Sequence, residues 1–283
     1  MTETLRLSDG RTLGYRCFGA PQGPVVVNCH GGLVCGLDVA PFDALARDLG
    51  VRIVSPDRPG LGESSPAPGR STGDWAADVA ALLDAVGADR AFMFGWSMGG
   101  QYALACAALL ADRVAATAVI AGCRPLADDA TFRELNAMDR RFTALARHHP
   151  NIAAATFRAL GGVARHTPVA WAHLTLRAAQ PDEASTLEAL PDPGIAAAAA
   201  AALEGGDGMV EEYRAWVRPW GFAAADIPGP VTFWHGDADE LVPPAWSATL
   251  AQTVPQGRLE RVAGAGHFLS YTHTAEILRA LTE

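Results

Sequence analysis

Cysteine is sparse and unpatterned: the five residues Cys17, Cys29, Cys35, Cys106 and Cys123 are odd in number and show no Cys-x-x-Cys spacing. That argues against a disulfide framework or a thiolate metal site and for reduced thiols in a cytoplasmic protein. Basic charge is short as well. Lys and Arg total 22 against 31 Asp and Glu, a net charge of −9, and no basic cluster offsets the deficit locally. Nucleic acid and anionic membrane surfaces both demand such clusters, so neither partner is expected. Long apolar runs are also missing. The start, Met1-Thr2-Glu3-Thr4-Leu5-Arg6-Leu7, lacks the basic and then apolar pattern of a secretory leader. The alanine-rich stretch 195–203 is too short to span a bilayer and reads as helix filling. The eight histidines show no His-x-x-x-His spacing, so no metal is expected, and there is no internal repeat.

What is present is a globular composition, 49% apolar and 19% charged, over 283 residues. That is enough for one large domain or a domain with an insertion. Residues 1–122 alternate short apolar runs with helical patterns. Strands are expected at 12–18, 25–28, 52–55, 91–94 and 115–120, with helices at 42–49, 74–86 and 100–110. Such alternation implies a mostly parallel central sheet flanked by helices. Residues 123–225 lose the β-branched runs. Helices are expected there at 130–148, 151–164, 169–180, 194–204 and 209–217, punctuated by prolines 150, 168, 181, 191 and 193. This middle third reads as an all-helical insertion. Alternation resumes over 226–283, with strands at 231–234 and 259–262 and helices at 245–253 and 274–281.

Gly95-Trp96-Ser97-Met98-Gly99 follows the apolar run 91–94 and precedes a helix, the layout of a nucleophile elbow. A serine hydroxyl is a weak nucleophile and needs a neighbouring base. His267, in Gly264-Ala265-Gly266-His267-Phe268, lies directly after the last expected strand. Loops after parallel strands share one sheet edge, so His267 can meet Ser97. The loop after strand 231–234 supplies three competing acids, Asp237, Asp239 and Glu240, to orient that base. Two N–H donors for an oxyanion are expected from Met98, at a helix start, and from Gly32 in His30-Gly31-Gly32-Leu33, with Leu33 as second choice.

Four blocks together resemble the α/β-hydrolase superfamily, in its large group with a helical cap. They are His30-Gly31-Gly32, Asp57-Arg58-Pro59-Gly60-Leu61-Gly62-Glu63-Ser64, Gly95-Trp96-Ser97-Met98-Gly99-Gly100, and His235-Gly236-Asp237-Ala238-Asp239 with Gly266-His267. The resemblance implies the chain order Ser, Asp, His and, from the family's spacing after His-Gly, Asp239 as the acid. Ser97 stands where haloalkane dehalogenases and epoxide hydrolases carry aspartate, which speaks against those two chemistries. Leu33-Val34 replaces the Pro-Gly usual in prolyl aminopeptidases. The Asp57–Ser64 block reads as loop-shaping, with Arg58 available to pair with a carboxylate.

The expectation is therefore a carboxylesterase-like serine hydrolase acting without cofactor on a small, largely apolar ester. Leu33, Trp96, Met138, Phe142 and Phe268, with Trp171, are candidate substrate contacts. Carbon–carbon bond hydrolysis, cofactor-free perhydrolysis, a thioester substrate and a receptor with a vestigially active triad fit the same motifs. Nothing in the sequence speaks to oligomeric state.

Overall fold

Val25–Cys29 (β3) is buried at all five positions, as a strand covered on both faces must be. The computed structural model, which describes residues 2–171, 180–190 and 194–283, places it inside an eight-stranded sheet. The other strands are β1 (Glu3–Arg6), β2 (Thr12–Gly19), β4 (Arg52–Pro56), β5 (Ala91–Trp96), β6 (Val114–Ile120), β7 (Val231–Gly236) and β8 (Gly257–Val262). Their order is β1-β2-β4-β3-β5-β6-β7-β8, antiparallel from β1 to β4 and parallel from there on. The edge strands β1 and β8 are fully buried at no position, whereas β5 and β7 are buried except at one position.

From β3 the chain steps to β4 on one side and then crosses to β5 on the other. A crevice forms at the carboxyl ends of strands where the direction of winding reverses. Pairing of Cys29 with Gly95 sets the segment from His30 onward beside Trp96-Ser97-Met98. Pairing of Gly236 with Val262 brings the loops carrying Asp239 and His267 off the same edge.

Between β6 and β7 the described residues hold helices and no strand: Asp129–Glu134, Ala137–His148, Pro150–His166, Pro181–Glu188, Ile195–Leu203 and Asp207–Trp216. The single helix expected over 130–148 is two. Leu135 and Asn136 are extended, and the Asn136 side chain accepts a hydrogen bond from the Asp139 N–H, restarting the helix as an N-cap. The helix Pro181–Glu188 was not expected. Pro181 occupies its first turn, and Gln180 with Glu183 forms a capping box, so this proline begins a helix rather than interrupting one. The expected helix over 169–180 lies largely outside the described residues. The alanine-rich helix Ile195–Leu203 packs on Pro150–His166, where a side chain at Gly161 would lie 2.9 Å from the Leu203 Cβ. Among the described residues no helix is long and apolar enough to cross a membrane.

Candidate functional site

Ser97 has φ 54, a left-handed conformation that side-chain-bearing residues rarely hold and that costs roughly 1–3 kcal/mol. Its neighbours show why the flanking residues are glycine. A Cβ on Gly99 would land on the Cys29 carbonyl oxygen, and one on Gly95 would lie 2.7 Å from the Ala103 Cβ and 2.9 Å from the Gly100 Cα. The Ser97 N–H donates to the Ile120 carbonyl at 2.8 Å, pinning the turn to β6. Met98 follows as the N-cap of the helix Gly99–Leu109.

His267 Nε2 lies 2.9 Å from Ser97 Oγ, and its Nδ1 lies 2.9 Å from Asp239 Oδ2. An ionised carboxylate only accepts hydrogen bonds, so Nδ1 carries the proton and Nε2 is left as acceptor for the serine hydroxyl. Asp239 Oδ1 takes the N–H groups of Leu241 at 2.8 Å and Val242 at 3.0 Å. His235 Nε2 donates to Asp239 Oδ2 at 3.1 Å, while its Nδ1 accepts from Ser247 Oγ at 2.7 Å. Burial pushes the Asp239 carboxyl up, but the His267 charge and these imidazole hydrogen bonds outweigh it and hold the group well below the usual carboxylate range. Burial likewise pulls His267 down, and the Asp239 charge and hydrogen bond reverse this, leaving the imidazole above its ordinary value. The two competing acids sit elsewhere. Asp237 is exposed and accepts the Gly264 N–H at 2.7 Å, and Glu240 is exposed.

On the opposite side, Gly32 and Leu33 line the cavity above Ser97, with Leu33 at φ 60. Among the described residues the N–H groups of Gly32, Leu33 and Met98 have no hydrogen-bond partner. The loop that presents the first two is braced from behind. Gly31 N–H donates to Asp38 Oδ2 at 3.2 Å, Asn28 Nδ2 donates to Asp38 Oδ1 at 2.7 Å, and burial pushes the Asp38 carboxyl up to about 7. His30 accepts the Arg58 N–H on Nε2 at 3.1 Å and lies 3.0 Å from the Gly31 carbonyl through Nδ1. Complete burial and then the Arg58 charge lower its pKa, so it stays neutral. Arg58 also donates to the His30 and Gly31 carbonyls and, at 2.6 Å, to Glu212, so its carboxylate partner lies in the helical segment.

These elements enclose a cavity of about 210 Å³. Leu33, Trp96, Met138, Trp171 and Phe268 line it, as the sequence suggested. Phe142 does not. Its ring packs on Phe157 at 5.1 Å and on Tyr213 at 5.7 Å, in an aromatic cluster between the helices. The wall also contains Cys123, Asp139, Tyr213 and Trp216, none of which the sequence marked. Asp139 falls in the middle of the helix expected over 130–148, where a lone acid reads as part of a solvated face, and the structure places it in a first turn. Tyr213 and Trp216 lie at helical spacing and read as ordinary core. Among the described residues no group of three His, Cys, Asp or Glu is arranged to hold a metal ion.

A family model described as alpha/beta hydrolase fold matches residues 24–274. The chain is 28% identical to the epoxide hydrolase A of Mycobacterium tuberculosis (strain ATCC 25618 / H37Rv), an alignment covering 100% of this chain and 96% of that protein. An esterase from Exiguobacterium antarcticum superposes with a TM-score of 0.74 at 17% identity, covering 99% of this chain and 98% of the other. The enol-lactonase from Burkholderia xenovorans LB400 superposes with a TM-score of 0.70 at 21% identity, covering 98% and 97%. At such identities the structural likeness speaks for the fold alone. With the family model spanning nearly the whole sequence, the chain belongs to the alpha/beta hydrolase fold family.

Proposed function

We propose that the protein is a serine hydrolase that cleaves a small, largely apolar ester through an acyl-enzyme. The observation that carries this reading is the chain of contacts from Ser97 Oγ to His267 Nε2 to Asp239, each 2.9 Å. In this scheme His267 takes the Ser97 proton as the oxygen attacks the ester carbonyl. The N–H groups of Met98 and Gly32 receive the charge that develops on the carbonyl oxygen. His267 then protonates the leaving alcohol, and water activated by the same imidazole releases the acid. The helical segment acts as a cap that keeps bulk water from the cavity.

Epoxide opening, suggested by the name of the mycobacterial relative, fits Ser97 poorly. Attack by a serine oxygen on an epoxide carbon would leave an ether, which contains no carbonyl for water to attack. An ester intermediate, by contrast, can be hydrolysed.

Labelling with a fluorophosphonate, combined with a panel of nitrophenyl and alkyl esters, tests the proposal. Ser97 is expected to be the labelled residue, and Ser97→Ala to lower kcat by about 10⁶-fold. Labelling of Ser97 without turnover of any ester would replace the hydrolase by a receptor with a vestigially active triad. Full turnover in Ser97→Ala would remove the nucleophile assignment.

A further inference from the structure

The cavity wall is apolar over most of its surface, and the scheme above leaves one of its polar side chains without a task. Asp139, on the helix Ala137–His148, lines the same space as Ser97 and His267. Tyr213 Oη donates to its Oδ1 and Asn136 Nδ2 to its Oδ2, each at 2.7 Å. The Tyr213 ring is fixed in turn, stacked on Phe157 at 5.5 Å with an interplanar angle of 12°. The adjacent Glu212 ties the same helix to Arg58 beneath Gly31. Asp139 is thus held in register with Ser97 by contacts that reach into the sheet.

A carboxyl group facing an apolar cavity costs free energy unless something pairs with it. Burial pushes the Asp139 carboxyl up despite the hydrogen bonds from Tyr213 and Asn136, and the His267 charge acts on it as well. Each carboxyl oxygen has two acceptor positions, and the two donors fill one on each. Among the described side chains no other donor takes the remaining acceptor capacity, which is open to a ligand in the cavity.

We propose that Asp139 is a substrate-binding residue that hydrogen-bonds a hydroxyl group, so that the preferred substrate is a small hydroxylated ester. This assignment rests on the ester-hydrolase reading for the nature of the scissile bond. A hydroxyl both donates and accepts, so it pairs with Asp139 in either protonation state. An ammonium brings three donors into a wall whose described side-chain oxygens away from Ser97 are those of Asp139 and Tyr213 alone. A carboxylate on the substrate would meet a like charge wherever Asp139 is ionised, and would be desolvated by the apolar wall in either case.

The test compares kcat/KM for ethyl hexanoate, ethyl 3-hydroxyhexanoate, ethyl 6-hydroxyhexanoate and ethyl 6-aminohexanoate. The wild type is expected to favour at least one hydroxylated ester over ethyl hexanoate by about tenfold, and Asp139→Leu to bring that ratio to about one. Ratios are taken within each variant, so a general loss of active protein cancels. If Asp139→Leu does not fold, the smaller Asp139→Ala, which also removes both carboxyl oxygens, carries the test, with the ratio expected to fall at least about threefold. A ratio near one in the wild type, an unchanged ratio in the variants, or preference for the ammonium ester overturns the assignment.

Titration calorimetry of the same esters on Ser97→Ala protein separates the subsite from the hydrolase reading. Tighter binding of a hydroxylated ester, lost on adding Asp139→Leu or Asp139→Ala, supports the subsite even if the wild type turns over none of the panel. Equal binding of plain and hydroxylated esters overturns the subsite and leaves the hydrolase reading standing.

Discussion

Asp237 and Asp239 are two residues apart on one loop, and their surroundings give them different work. Asp237 holds the Gly264 N–H at the surface, whereas Asp239 is buried against His267 and His235. Under the proposed mechanism Asp239→Asn turns the imidazole toward the wrong tautomer and lowers kcat by about 10⁴-fold. Asp237→Asn keeps an acceptor for Gly264 and is expected to change kcat little. Steady-state kinetics that rank the two variants the other way round would reassign the acid. The pH profile belongs to the same scale. His267 must be neutral to act as base, and Asp239, Asp139 and Glu183 all raise its pKa against the effect of burial. The rate therefore falls as pH drops through a value above that of an ordinary imidazole. Asp139→Asn removes one of those charges, so the acidic limb of kcat/KM is expected to move to lower pH. A limb that stays in place or moves upward contradicts the electrostatic account.

The elbow was legible in the sequence as an element because its constraints are local. A serine at φ 54 between glycines whose Cβ atoms would strike neighbouring backbone has few sequence solutions, and Gly95-Trp96-Ser97-Met98-Gly99 is one of them. Gly99→Ala is expected to force β3 and the following helix apart, destabilising the protein by about 1–3 kcal/mol or more. A misplaced Ser97 would also cost about 10²-fold in kcat/KM. Gly162, in the helix Pro150–His166, has nothing within 4 Å of the corresponding position. Gly162→Ala should raise the unfolding free energy by about 0.5–1 kcal/mol. Denaturant unfolding of both variants checks the pair, and equal effects would mean that backbone crowding is not what selects glycine at 99. The elements misread from sequence were those decided by capping. Asn136 splits one helical pattern in two, and Gln180-Pro181 starts a helix where proline suggests a stop.

At the scale of the molecule, the sheet and the helical segment are joined by a buried ionic cluster. Glu212 takes Arg58 Nε at 2.6 Å and also pairs with Arg70, with the Arg58 guanidinium 4.6 Å over the Tyr102 ring. Burial pushes the Glu212 carboxyl up, and the two arginine charges more than reverse it, so its pKa is lowered in the folded protein. This pairing stabilises the fold above the ordinary glutamate pKa and is lost as pH falls through the lowered value. Glu212→Gln leaves two buried arginines without a counter-charge and is expected to cost about 3–5 kcal/mol. It should also loosen the helix that carries Tyr213. Chemical denaturation at neutral pH measures the first effect, and a loss under about 1 kcal/mol would show that the cluster is solvated rather than buried.

Composition, strand–helix alternation and four short blocks were enough to indicate the sheet, the turn at Ser97, and the edge where His267 and Gly32 meet it. Each of these depends on local backbone constraints or on the rule that parallel strands present their following loops at one edge. The proposed acid needed the family's spacing in the sequence, and in the structure burial and contact with His267 distinguish Asp239 from its neighbours. The cavity wall was legible only in part, through Leu33, Trp96, Met138, Trp171 and Phe268. Asp139, Tyr213 and Trp216 come from helices whose sequences read as ordinary amphipathic surface and core, and Phe142 faces an aromatic cluster instead of the cavity. Which face of a helix looks into a cavity is set by how it packs on its neighbours, and helical periodicity alone does not contain that rotation.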